Sequence, residues 1–434
     1  MSVFAIVLLS AFVLAPLLPI HGADAQTFAR VGALSLDPFD GYGSSSVVDP
    51  AAGFAYFGIV DNNAGQGSIV RIRLSDFSRA GRLTLNPGEI NTVSVIDAAA
   101  GFAYFGTQSD IVKIRLSNFT RVGTLALNPG EAADSFVIDT PAGFAYLGTG
   151  TDPGLVVKVR LSDFTRVGTL ALKPGESYLS SAVLDPSAGF AYFGTSGGPV
   201  DATSPGVIVK IRLSNFTRVG SITLNPSEYN LFPAVLDPLG GFAYFGTGGC
   251  SHPPPWQTGQ TCAFFGVVKV RLSDFTRVGT LSMDNWPISS VIDSASGFAY
   301  FGTHSSPGVV VKVRLSDFTR VGSIILLPGE EYPCCAVFDS SSGSAYFGTG
   351  GFPAKIIKVE IAPPIVPYHP PSLFDQFVWW APYLSVATGV AILVGVIIIA
   401  NSGRHVGGRP RLTEVTGSVS SLIPASFVVR SGDG

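Results

Sequence analysis

Charge is scarce in this chain. Only 13 % of its 434 residues are Asp, Glu, Lys or Arg, and the net charge is -3 with no long basic run. A nucleic-acid partner would find no electrostatic footprint. Histidine is rarer still, with 5 in all. Between the leader and the second long apolar run stand only His252, His304 and His369. No His-Glu-x-x-His or phosphate-loop pattern occurs, so these motif-borne routes to catalysis are missing. The expectation is a protein that is not an enzyme and carries no cofactor. The 4 cysteines form no Cys-x-x-Cys pair, so no metal site is expected either.

What the chain does have is 51 glycines, 31 prolines and 31 phenylalanines in a sequence that is 46 % hydrophobic. It is too apolar for disorder and too rich in turn residues for a helical protein, so the composition points to all-β. Two long apolar runs stand apart from this pattern. Residues 1–25 end in Ala23-Asp24-Ala25 and read as a secretory signal, with a retained signal anchor as the alternative. Residues 377–400 are long enough for one membrane-crossing helix. Trp379, Trp380 and Tyr383 mark one end of this run, and Arg404, Arg409 and Arg411 follow the other. By the positive-inside rule the tail, 401–434, is cytoplasmic and the rest is outside, a type I single-pass plasma-membrane topology. Residues 362–376 form a proline-rich stalk.

Between leader and stalk the string "GFAYFGT" recurs in near copies that begin at Gly53, Gly101, Gly143, Gly189, Gly241, Gly297 and Gly343. The spacings of 48, 42, 46, 52, 56 and 46 residues suit propeller blades. Each unit holds four short β-branched and aromatic pieces, such as "SAVLDP", "GFAYFGT", "VIVKIRL" and "TRVGSITL", parted by turn residues. The chain opens on a lone fourth strand, "FARVGALSL", and the last unit stops after its third, "KIIKVEI". The first strand can therefore complete the last blade and close the ring. The reading for 26–361 is a seven-bladed β-propeller.

With "AYFGT" in the second strand and "VVKVRLSDF" closing the third, the repeat resembles the YVTN-type surface-layer β-propellers of the WD40-like group. That resemblance covers residues 28–361 and implies a propeller in a cell-surface setting. It supplies no catalytic or binding residues.

The recurring "SDFTRVG" reads as architecture: Ser-Asp or Ser-Asn turns the chain, and Phe plugs between blades. Alternation places Lys158 and Arg160 on one strand face. It reads either as part of an anion-binding belt or, the reading favoured by its recurrence in almost every blade, as a solvated face paired with turn aspartates such as Asp163. The blades differ in two connections, between strands two and three and between strand four and the next blade. Both emerge on one side of the disc, so binding is expected there. The stalk leaves from the other side, so the variable side is expected to point away from the cell.

Candidates on that side are Trp256 and His252, in an insertion between Cys250 and Cys262. A bridge between those two cysteines would stabilise the loop by roughly 3 kcal/mol. Cys334 and Cys335 are left open between a vicinal bridge, a reduced pair and cross-pairing. Glu89, Glu131, Glu176, Glu228 and Glu330, with Glu331 and with Tyr178, Tyr229 and Tyr332 nearby, read either as a ring around a cation or polar-ligand pocket or as turns with solvated acids. Asn118 and Asn215 head Asn-Phe-Thr glycosylation sites. The function expected is a surface protein whose propeller recognises an extracellular protein or glycan. A structural coat protein and a propeller-fold hydrolase are the alternatives.

Overall fold

The computed structural model describes residues 28–361 except 39, 62–64, 197–203 and 249–263. The chain divides into two units, Met1–Ile365 and Val366–Gly434, and the second lies wholly outside the described residues. The expected signal at 1–25 and span at 377–400 also fall outside them. Among the described residues no helix is long and apolar enough to cross a membrane.

Seven four-stranded antiparallel sheets follow one another around a ring, and all regular structure among the described residues is β. The first blade comprises Asp40–Asp49, Phe54–Asp61, Gly67–Arg73 and Ser78–Thr84, running from the inner edge outward. The seventh comprises Cys335–Asp339, Ser344–Gly348 and Lys355–Glu360, completed by Ala29–Ser35 at its outer edge. The N-terminal strand pairs Ala33 with Ile357 and Ser35 with Lys355. The ring closes as the strand count requires, and every blade has four strands.

Strand position dictates strand chemistry. The second strands lie against neighbours on both faces, so in the second blade Ala103, Tyr104 and Phe105 are all buried and the run is apolar without alternation. Outer strands such as Thr120–Ala126 alternate between half-buried and exposed, as a one-sided edge should. The apolar clusters sit between blades rather than within them: one joins Tyr104 of the second blade to Leu147 and Val157 of the third.

The "SDFTRVG" repeat owes its form to that interface. Phe119, Phe164, Phe216, Phe275 and Phe318 each adopt φ between 51° and 54°, a costly region for a bulky residue. What holds them there is packing. Phe164 lies 5.5 Å from Tyr104 of the preceding blade, and the same pair recurs at every seam, including Phe77 with Tyr346 and Phe28 with Tyr300. The glycine of "TRVG" makes room for the plug: a Cβ on Gly168 would stand 3.2 Å from the Phe216 ring. The recurring turn aspartates cap their turns as expected, with Ala100 N–H donating to Asp97 Oδ1 at 3.0 Å.

Candidate functional site

The connections that vary from blade to blade emerge together, at the ends of the inner strands where each blade begins. The carboxylates expected there do not face a central opening. Glu89 is buried and accepts two hydrogen bonds from Arg121, each 2.7 Å long, and one from the Asn86 N–H at 2.8 Å. Glu131 is held in the same way by Arg166 at 2.7 and 2.9 Å and by the Asn128 N–H at 2.9 Å. Glu176 meets Arg218, Glu228 meets Arg277 and Glu330 meets Arg30. Where the motif lapses, Asp37 meets Arg79 and Asp284 meets Arg320. In all seven blades, then, the entry loop is clasped to an arginine on the outer strand of the blade it enters.

Burial alone would raise the Glu89 and Glu131 carboxyls. The arginine and backbone donors outweigh it and hold both below the usual range. These acids are neither a cation ring nor solvated turns, because their lone pairs are spent on guanidinium. Glu331, half-buried, takes no part in the clasps.

The cationic pairs of the third strands also divide. The arginines pair with turn aspartates as expected, Arg160 with Asp163 at 2.8 Å and Arg271 with Asp274 at 2.9 Å. The lysines are not on a solvated face. Lys158 Nζ sits 3.9 Å from the centre of the Phe144 ring, with Tyr146 and Phe216 completing a cage, and Lys113, Lys210, Lys269 and Lys312 repeat the arrangement. Burial pushes the Lys158 amine down, partly offset by Asp139. These cations belong to the interface between blades.

At the axis the seven inner strands enclose a cavity of about 220 Å³. Alignment on the aspartate that ends each inner strand assigns its levels. Five residues before that aspartate stand Ser44, Thr92, Ser180 and Cys334, the apolar Phe232 and Ile288, and one charged residue, Asp134. Two residues further along, at Ser46, Ser94, Phe136, Ala182, Ala234, Ser290 and Ala336, the wall continues. The next inward level is apolar in every blade, from Val48 and Ile96 through Leu184 to Phe338, and the lining stops above it. The cavity is a cup at the loop-rich end, floored by hydrocarbon.

Hydrogen bonds across the seams fix the chemistry of the wall. Ser44 donates to Asn91 Oδ1 at 3.1 Å, Ser180 to the Leu231 carbonyl at 3.0 Å and Thr92 to the Ala133 carbonyl. The Cys334 thiol donates to the Gly43 carbonyl at 2.8 Å. Each bond runs to the following blade and leaves the donor's remaining lone pairs free. Asp134 occupies the same register, but an ionised carboxylate has no proton to give. It has no hydrogen bond or ion pair among the described residues. Burial pushes its carboxyl up to about 6. Gly150 accommodates it: a Cβ there would clash with Asp134 Oδ2, well inside van der Waals contact.

A second feature is an aromatic row on the loops of the sixth and seventh blades. His304 lies 4.4 Å from Tyr332 and 6.0 Å from Trp286, centre to centre, with ring planes inclined by 31° and 34°. Backbone bonds fix the row: His304 N–H donates to the Trp286 carbonyl at 2.7 Å and Tyr332 N–H to the Ser305 carbonyl at 3.1 Å. His304 is exposed, while Trp286 and Tyr332 are half-buried. Exposed Tyr42 holds the register position of Trp286 and Tyr332 in the first blade.

Of the residues singled out from sequence, Tyr332 joins this row. Tyr178 stands at the same register in the fourth blade, with φ 53°, and Tyr229 is buried. His252, Trp256, Cys250 and Cys262 lie outside the described residues. Cys334 and Cys335 carry no disulfide. Asn118 and Asn215 are exposed in the turns opposite the loop-rich face, each accepting a hydrogen bond from the threonine of its motif at 2.8 Å. Sequence reasoning passed over Asp134 and Trp286. Both would have emerged from aligning the inner strands on their terminal aspartates.

No protein-family model and no curated protein matches the sequence. Solved structures do match, among them a chain of the hydrazine synthase of Kuenenia stuttgartiensis, with a TM-score of 0.60 and 10 % identity over 76 % of this chain and 98 % of that one. Identity that low establishes the propeller fold and nothing finer. It does correct the expectation that this chain is not an enzyme, by removing the ground for it, without showing that the chain is one. That expectation rested on missing motifs, and a chain of the same architecture belongs to an enzyme.

Proposed function

We propose that this chain is a cell-surface recognition protein that binds glycans on the loop-rich face of its propeller. The observation that carries the reading is the aromatic row of Trp286, His304 and Tyr332. Three rings are held in order by backbone hydrogen bonds, and Tyr42 is exposed at the same register in the first blade. Aromatic faces cover the apolar C–H surface of a sugar, while ring edges and loop carbonyls bond its hydroxyls. A rigid scaffold with its variation confined to one set of loops is a common way to build such a surface.

The cell-surface setting is supported by the leader-like residues 1–25, the apolar run 377–400 and the arginines that follow it. The YVTN-type surface-layer propellers are the family that this reading fits.

The test is binding of the full-length chain, held in lipid nanodiscs, to a glycan array. His304→Ala and Tyr332→Asn should each weaken the strongest signals at least tenfold with no change in unfolding temperature. Asparagine is a mild replacement because Asn230 already holds the equivalent site in the fifth blade at φ 50°. No glycan bound, or binding untouched by both substitutions, would sink the reading.

A further inference from the structure

Asp134 is the feature of the cup that the architecture does not need. At its register the other blades place a hydroxyl or thiol that donates across the seam, or an apolar side chain. Asp134 can do neither when ionised. No basic residue lines the cavity to balance it, and burial disfavours its charge. A group that weakens its own seam is a candidate for function.

The rest of the wall says what would complement it. The protons of Thr92 and Ser180, its register neighbours on either side, are committed to backbone carbonyls, so these oxygens face the cup as acceptors. With the carboxylate they form a surface that offers acceptors and negative charge. Phe136, Ala182 and Phe232 add an apolar wall suited to a short carbon skeleton and, through the rings, to a cation. About 220 Å³ is room for a ligand of a handful of heavy atoms.

We infer that the axial cup binds a small organic primary ammonium, its charged head on Asp134 and the Thr92 and Ser180 oxygens, its carbon chain against Phe136 and Phe232. The site is separate from the aromatic row and does not depend on the glycan reading. No covalent step is involved.

The full-length chain in detergent micelles is titrated calorimetrically at pH 7.5 with n-butylammonium chloride, with n-butanol as the neutral isostere and with potassium chloride. Butylammonium should bind at least tenfold more tightly than butanol, and potassium should not compete with it. Asp134→Asn keeps the shape and should remove that preference. Asp134→Ser, which copies the fourth blade, should do the same and guards against a local fault of the amide. The inference is overturned if butylammonium gives no saturable binding or if butanol matches it. Equal competition by potassium, which would mark an inorganic-cation site, or binding that survives both substitutions would overturn it too.

Discussion

Replacing Asp134 by serine should stabilise this protein at neutral pH. The carboxyl ordinarily titrates at 3.8 and burial pushes it up to about 6 in the folded chain. The folded state therefore holds its proton more tightly than the unfolded state does. Stability from this group is fully present below about pH 4, falls as pH rises towards 6, and is absent above that. At pH 7.5 the ionised carboxylate costs at most about 3 kcal/mol at 1.36 kcal/mol for each pKa unit, and about 1–2 kcal/mol after allowance for solvent reaching a half-buried group. Serine removes that cost. It also supplies the donor that neighbouring blades use, towards the carbonyl of Leu179, the register equivalent of Leu231 and Ala133, worth a further ~1 kcal/mol.

Chemical denaturation of both proteins at pH 7.5 and pH 4.5 checks this. The variant should gain about 2–3 kcal/mol at pH 7.5 and distinctly less at pH 4.5. A variant no more stable at pH 7.5, or one whose advantage does not shrink at pH 4.5, would refute the reasoning about burial and donor register.

The clasps and the plugs make opposite predictions from the same structure. Glu131→Ala should destabilise by about 1–3 kcal/mol, because Arg166 and the Asn128 N–H lose their acceptor together; urea unfolding reads it directly. The depressed carboxyls of Glu89, Glu131, Glu176, Glu228 and Glu330 contribute stability above their unfolded value of 4.5, and it is lost as pH falls through their lower folded values. Unfolding free energy measured downward from pH 5 should fall, and Glu131→Ala should flatten that slope. Phe164→Ala empties the seam between the second and third blades and should cost about 2–4 kcal/mol, with thermal unfolding as the assay.

Sequence by itself determined the propeller. Seven repeats, four strand-like pieces in each and an N-terminal strand left over for the last blade required a closed ring, and the pairing of Ala29–Ser35 with Lys355–Glu360 is that closure. The Phe plugs and turn aspartates were legible too, since their reasons are local: a tight turn, an aromatic residue, a fixed period. Partners that meet across a blade were not. Glu131 and Arg166 are 35 residues apart, and nothing in either motif says that an entry loop will bend over the outer strand. The caged lysines misled for the same reason, because strand alternation tells two faces apart but not which face a neighbouring blade will cover.

The cup and the aromatic row depend on tertiary structure most of all. Asp134, Thr92 and Ser180 become neighbours only because seven inner strands stand side by side around one axis. His304 reaches Tyr332 only because two loops of successive blades emerge on the same side. A repeat specifies its own fold through contacts that recur in every blade. A site arises where single blades depart from the repeat, and only the closed ring decides which departures meet.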